Sequence, residues 1–128
     1  MVKKIVLDTN FLLIPARFKV DVFAELRRVL DVDYEVYFPD VCWNELESLA
    51  KGKSRHAREA KIGLELAKSK GVKTLVTGQK GHADDIILRL AEKERFITAT
   101  QDLTLAKRLR SKGLISIVLR NKSHLEVV

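Results

Sequence analysis

A single cysteine, Cys42, permits neither an internal disulfide nor a cysteine-built zinc site, and this usage fits a reducing compartment. Only 2 prolines and 6 glycines punctuate the chain, which excludes collagen-like and low-complexity classes. Aromatic residues make up 6%, and the 3 histidines are too dispersed in sequence for a zinc or nucleophile assignment. Long apolar runs are also missing. Phe11 to Ile14 and Ile86 to Leu88 are far below the roughly 18 residues that a membrane span needs. The opening Met1 to Leu7 is basic, but Asp8 interrupts it before a signal-peptide core of about 7 apolar residues can form. These absences lead to the expectation of a cytoplasmic chain without a membrane partner. What is present fits one globular domain over residues 1–128, with 46% hydrophobic and 32% charged residues. Lysine and arginine (24) exceed aspartate and glutamate (17) by 7, which puts nucleic acid first among partners without proving it.

Val2 to Leu7, apolar apart from Lys3 and Lys4, ends at Asp8-Thr9-Asn10 and reads as a buried strand breaking into a loop. Phe23, Leu26 and Leu30 then fall on one face of a helix between Val20 and Asp31. Tyr34 to Phe38 forms a second strand, with Asp40 placed to cap the next helix, whose apolar stripe is Cys42, Leu46, Leu49 and Ala50. Ser54 caps a further helix that turns Ala57, Ala60, Leu64 and Ala67 inward and stops at Gly71. Val72 to Val76, Arg95 to Ala99 and Leu114 to Leu119 complete five strands, with helices opening near Ala83 and running from Leu103 to Lys112. Strands alternating with helices imply right-handed crossovers and a parallel sheet covered on both faces, an α/β fold.

In such sheets ligands bind beyond the carboxyl ends of the strands. Asp8 follows the first strand, Asp84 opens the helix after the third, Asp102 follows the fourth, and Glu45 lies about one turn into the helix after the second. Taken singly, each acid has an ordinary explanation: a turn residue, two helix caps and a solvated helix position. Taken together they fall at one edge of the sheet, where four carboxylates repel unless a cation neutralises them. Oxygen ligands point to Mg²⁺ or Mn²⁺. Such ions activate water, align a phosphate and stabilise the leaving oxygen in phosphodiester hydrolysis.

The segments Ile5-Val6-Leu7-Asp8-Thr9-Asn10, Val41-Cys42-Trp43-Asn44-Glu45-Leu46, Ala83-Asp84-Asp85-Ile86-Ile87 and Thr98-Ala99-Thr100-Gln101-Asp102-Leu103 resemble, in order and spacing, the acidic motifs of PIN-domain ribonucleases. The resemblance covers nearly the whole chain. It implies a three-layer α/β/α sandwich with a central five-stranded parallel sheet, and a metal-dependent endoribonuclease acting on single-stranded RNA. The motifs look closest to the ribosomal-RNA-processing branch, with VapC-type toxins also similar. Asp8, Glu45, Asp84 and Asp102 are thereby the expected catalytic and metal-binding residues, Asp85 is a neighbour able to exchange roles with Asp84, and Asn10 and Thr100 are expected to orient the acids. A second copy of the chain, an antitoxin and a ribosome-assembly protein are the protein partners this leaves open.

Lys51, Lys53 and Arg55 are the expected RNA-gripping cations, and Lys107, Arg108, Arg110 and Lys112 form a second basic run. Gly78-Gln79-Lys80-Gly81 lacks phosphate-loop spacing and reads as a turn. Trp43 and Tyr37 read as packing residues rather than base-stacking platforms, His82 as a loop histidine and Cys42 as a buried thiol. Two alternatives compete with the nuclease. A noncatalytic RNA-binding or assembly module would not need all four acids, and an aspartyl-phosphate phosphatase would need a second aspartate two residues after Asp8, where Asn10 stands.

Overall fold

A computed structural model describes residues 2–128. Its strands are β1 (Lys3–Leu7), β2 (Tyr34–Pro39), β3 (Lys73–Leu75), β4 (Ile97–Ala99), β5 (Ser116–Arg120) and β6 (His124–Val127). The helices are α1 (Ile14–Phe18), α2 (Val22–Val29), α3 (Asp40–Ala50), α4 (Arg55–Ser69), α5 (Ala83–Glu94) and α6 (Leu103–Ser111), and a 3₁₀ turn (Thr9–Leu13) joins β1 to α1. The sheet order is β3-β2-β1-β4-β5-β6, with five strands parallel and β6 antiparallel to β5. Right-handed crossovers put α1 to α4 over one face and α5 and α6 over the other.

The central strand β1 ends in a buried apolar run. Ile5, Val6 and Leu7 are wholly buried because both sheet faces are covered there. Register aligns Leu7 with Ala99 of β4 and Val6 with Tyr37 of β2, so the residues after β1, β2 and β4 emerge at the same edge. Ser54 caps α4 by accepting from the Ala57 amide at 3.1 Å, and Asp21 caps α2 in the same way through Ala24 at 3.0 Å. Both helices therefore start where short polar side chains replace the missing intrahelical acceptors. No helix of the described residues is long and apolar enough to cross a membrane.

Three features differ from the sequence reading. The sheet gains a sixth strand, β6, through a hairpin whose turn holds Asn121 and Lys122 at φ +52° and +54°. Only Leu125 of β6 is buried, so its four residues carry little hydrophobic signal. Phe11 to Ile14, read only as a short apolar run, forms the 3₁₀ turn and the start of α1 and packs into the core. Leu49, assigned to the inward stripe of α3, is 37% exposed.

Candidate active site

Asp8 ends β1 and caps the 3₁₀ turn. Its Oδ1 accepts from the Thr9 amide at 2.8 Å, and its Oδ2 accepts from the Thr100 hydroxyl at 2.8 Å. The side chain is nearly buried. Burial pushes its carboxyl above the ordinary aspartate range, against the lowering effect of those two hydrogen bonds, and the negative charges of Asp102 and Glu45 push the same way as burial. A buried carboxylate facing two others is an electrostatic strain that only a cation or a proton relieves.

Thr100 serves two acids with one hydroxyl. It donates to Asp8 and accepts from the Asp102 amide at 2.9 Å, fixing the turn that follows β4. Asp102 caps α6, its Oδ1 accepting from the amides of Thr104 at 2.9 Å and Leu105 at 3.2 Å. Glu45 projects from α3, and its Oε1 accepts from the Thr9 hydroxyl at 2.7 Å. Asp84, in the first turn of α5, uses Oδ1 to accept from the Asp85 amide at 2.9 Å. The four acids line one open crevice of about 250 Å³, together with Thr9, Asn10, Leu13, His82 and Ala83.

The remaining expected residues are placed differently. Asn10 touches no carboxylate. Its Oδ1 accepts from the Gln101 amide at 3.2 Å and its carbonyl accepts from the Gln101 side chain at 2.6 Å, which ties the loop after β1 to the loop after β4. Asp85 does not line the crevice; its Oδ1 accepts from Arg108 at 2.9 Å. Lys51, Lys53 and Arg55 lie exposed at the end of α3 and the start of α4, and none lines the crevice. Arg55 instead borders a groove of about 610 Å³ that includes Arg17, Phe18 and Arg58. There Arg17 is held by the nearly buried Glu59 at 2.9 Å.

Two residues read in the sequence as a helix cap and a loop histidine take other places: Pro39, not Asp40, stands at the N-cap of α3, and both Asp40 and His82 shape the site. Asp40, at the first position of α3, accepts from the Thr77 hydroxyl at 2.6 Å and from the amides of Val41, Thr77 and Gly78, so it pins the loop that leads to Asp84. Burial alone would raise its carboxyl, but these hydrogen bonds outweigh burial and hold it below the ordinary value. His82 occupies the position before α5 without making a side-chain cap, and it lines the crevice. Its place two residues before Asp84 was the available signal. Cys42 is buried, and burial foremost pushes its thiol up to about 12, so it is inert at neutral pH. Trp43 packs edge-on against Phe38, with ring centroids 4.9 Å apart.

Four carboxylates offer only hard oxygen donors, which suits Mg²⁺ or Mn²⁺. The strained Asp8 favours a cation on the same grounds. Among the described residues, however, no three acidic, histidine or cysteine side chains stand close enough to hold an ion as they are arranged. The donor set fits such an ion in chemistry and location, and these side chains would hold one only on drawing closer together.

A three-layer α/β/α fold with acids at the carboxyl edge of a parallel sheet defines the class. A family model described as a PIN-like domain matches residues 5–122, and the chain belongs to that family. Over 126 residues it is 35% identical to Ribonuclease VapC4 of Methanocaldococcus jannaschii, covering 97% of this chain and 95% of that protein. Among solved structures, the PIN domain endonuclease Utp24 is 27% identical with a TM-score of 0.81, covering 97% of this chain and 90% of that one. VapBC-1 from nontypeable Haemophilus influenzae is 16% identical with a TM-score of 0.59, covering 84% and 93% respectively, and shares the fold.

Proposed function

We propose that residues 1–128 form a single nuclease domain, a Mg²⁺- or Mn²⁺-dependent endoribonuclease that cuts single-stranded RNA in the cytoplasm. The observation that carries this reading is the convergence of Asp8, Glu45, Asp84 and Asp102, from four separate segments, on one crevice. Family membership and the names of the relatives, a ribonuclease and a PIN domain endonuclease, support it. The four acids would hold the ion, which when bound supplies an activated water and neutralises charge on the phosphate. Thr100 keeps Asp8 and the turn of Asp102 in register, while Asn10 locks the two loops to each other. These contacts hold the acids in place before substrate arrives.

A role in ribosomal-RNA processing, with a ribosome-assembly partner, rests on the motif resemblance. The 35% identity to Ribonuclease VapC4 supports a VapC-type reading with an antitoxin partner. An antitoxin-like reading frame beside the gene favours the second, and a ribosomal neighbourhood favours the first. A noncatalytic RNA-binding module on the same fold accounts for the charge but not for the retained acids.

Two measurements test the reading. Labelled single-stranded RNA is expected to be cut internally with Mg²⁺ or Mn²⁺ and to stay intact in EDTA; cutting in EDTA refutes metal-dependent hydrolysis. Binding to the same RNA is expected to weaken with salt, by roughly −0.7 in log–log slope per phosphate contact, because each lysine or arginine contact releases condensed counterions. Replacing Lys51, Lys53 and Arg55 by alanine flattens that slope. A slope left unchanged removes this segment from the RNA surface.

A further inference from the structure

Arg108, six residues beyond Asp102 on α6, reaches across to the first turn of α5. Its Nη2 donates to Asp85 Oδ1 at 2.9 Å, and its Nη1 stands 3.6 Å from Asp84 Oδ2. The Oδ1 of Asp84 is already engaged by the Asp85 amide, so Oδ2 is its free oxygen, and that oxygen faces the guanidinium. We infer that Arg108 is an internal counter-cation that competes with a divalent ion for Asp84, and that Asp85 parks it there at a fixed remove. This rests on the reading that Asp84 contributes to a metal site.

The arrangement has two consequences. In the metal-free protein, Arg108 offsets the charge of Asp84 and so reduces the repulsion among the crevice acids. When an ion binds, a fixed positive charge a few ångströms away opposes it. Asp85 limits the opposition, because the 2.9 Å hydrogen bond holds the guanidinium mainly on Asp85 while Asp84 is touched only at 3.6 Å. The Arg108 side chain is 41% exposed, so solvent screens the effect and its size is moderate. Arg108 is thus a positioning residue that sets metal affinity, and Asp85 acts through it without ligating.

Mn²⁺ titration of the metal-free full chain, followed by calorimetry, tests this without RNA. Arg108→Ala and Arg108→Gln are each expected to bind Mn²⁺ roughly three- to tenfold more tightly than the parent, since a unit charge near a divalent ion is removed. Asp85→Asn is expected to shift affinity the other way by a similar factor, because the released Arg108 moves onto Asp84. The double variant Asp85→Asn with Arg108→Ala is expected to recover at least the parental affinity. A purely structural cross-link between α5 and α6 predicts lower melting temperatures with no gain in affinity. Unchanged or weaker Mn²⁺ binding in folded Arg108→Gln overturns the inference, as does a double variant that stays as weak as Asp85→Asn. A parent that binds no Mn²⁺ overturns the metal-site reading itself, and the inference with it.

Discussion

Asp8→Asn is expected to lower the rate of RNA cleavage by about three orders of magnitude while leaving the fold intact. The substitution keeps the volume and one acceptor oxygen, so the hydrogen bonds from the Thr9 amide and the Thr100 hydroxyl retain partial satisfaction. It removes the negative charge that repels both Asp102 and Glu45. Metal-assisted hydrolysis draws several kcal/mol of transition-state stabilisation from the ion, and each 1.36 kcal/mol is about tenfold in rate. Stability moves the other way. The folded value of the Asp8 carboxyl lies above the ordinary 3.8, so its favourable contribution is full below that value and is lost as pH rises through the raised one. At neutral pH in EDTA the ionised group opposes folding, and the asparagine does not. Single-turnover cleavage with circular dichroism on the same sample checks both halves. Wild-type rates in Asp8→Asn remove Asp8 from the reaction.

Gly63→Ala is expected to destabilise the protein by about 2–3 kcal/mol, which lowers the melting temperature on the order of 10 °C. In an exposed helix the same change stabilises, because glycine gives up more backbone freedom than alanine. Gly63 lies inside α4, where a β-carbon would stand 2.1 Å from the Leu12 carbonyl oxygen and 2.9 Å from its carbon. These are backbone atoms of the 3₁₀ turn and cannot swing aside. That turn begins with Thr9, which binds Glu45, and follows directly on Asp8, so the shift that accommodates the methyl group passes into the crevice. Cleavage is therefore expected to fall together with stability. Thermal unfolding of the variant without a decrease in melting temperature contradicts the close approach of α4 to the turn.

The central strand and its terminal acid were legible because the buried part of a parallel strand, here Ile5, Val6 and Leu7, is a continuous apolar run, and Asp8 breaks it. The cap at Ser54 was legible because a short polar residue precedes a helical stripe of Ala57, Ala60, Leu64 and Ala67, all of them buried. The alternation of elements then carried Asp84 and Asp102 to the same edge. Contacts between distant segments were not legible. The motif resemblance gave Thr100 a part in orienting the acids, but that its partner is Asp8 follows from the pairing of β4 with β1, and Asp40 reaches Thr77 only because β2 pairs with β3. Arg108 read only as one member of a second basic run, and its carboxylate partners on α5 emerge from the packing of α6 beside α5. Gly63 gave no sign at all, since a lone glycine in a helical stripe has the same appearance whether it faces water or a carbonyl.

Whether four carboxylates drawn from separate segments form one divalent-cation site is tested, without any substrate, by the melting temperature measured with and without Mn²⁺. Ligand binding to the native state alone raises stability by RT ln(1 + [L]/Kd). In EDTA, Asp8→Asn is expected to melt above the parent, because one repelling charge is gone. With Mn²⁺ at about 100 times its Kd the parent is expected to gain roughly 2.7 kcal/mol, and Asp8→Asn and Asp102→Asn only a small part of that. Equal Mn²⁺-induced gains in the parent and both variants, with no rise of Asp8→Asn in EDTA, contradict a shared carboxylate site.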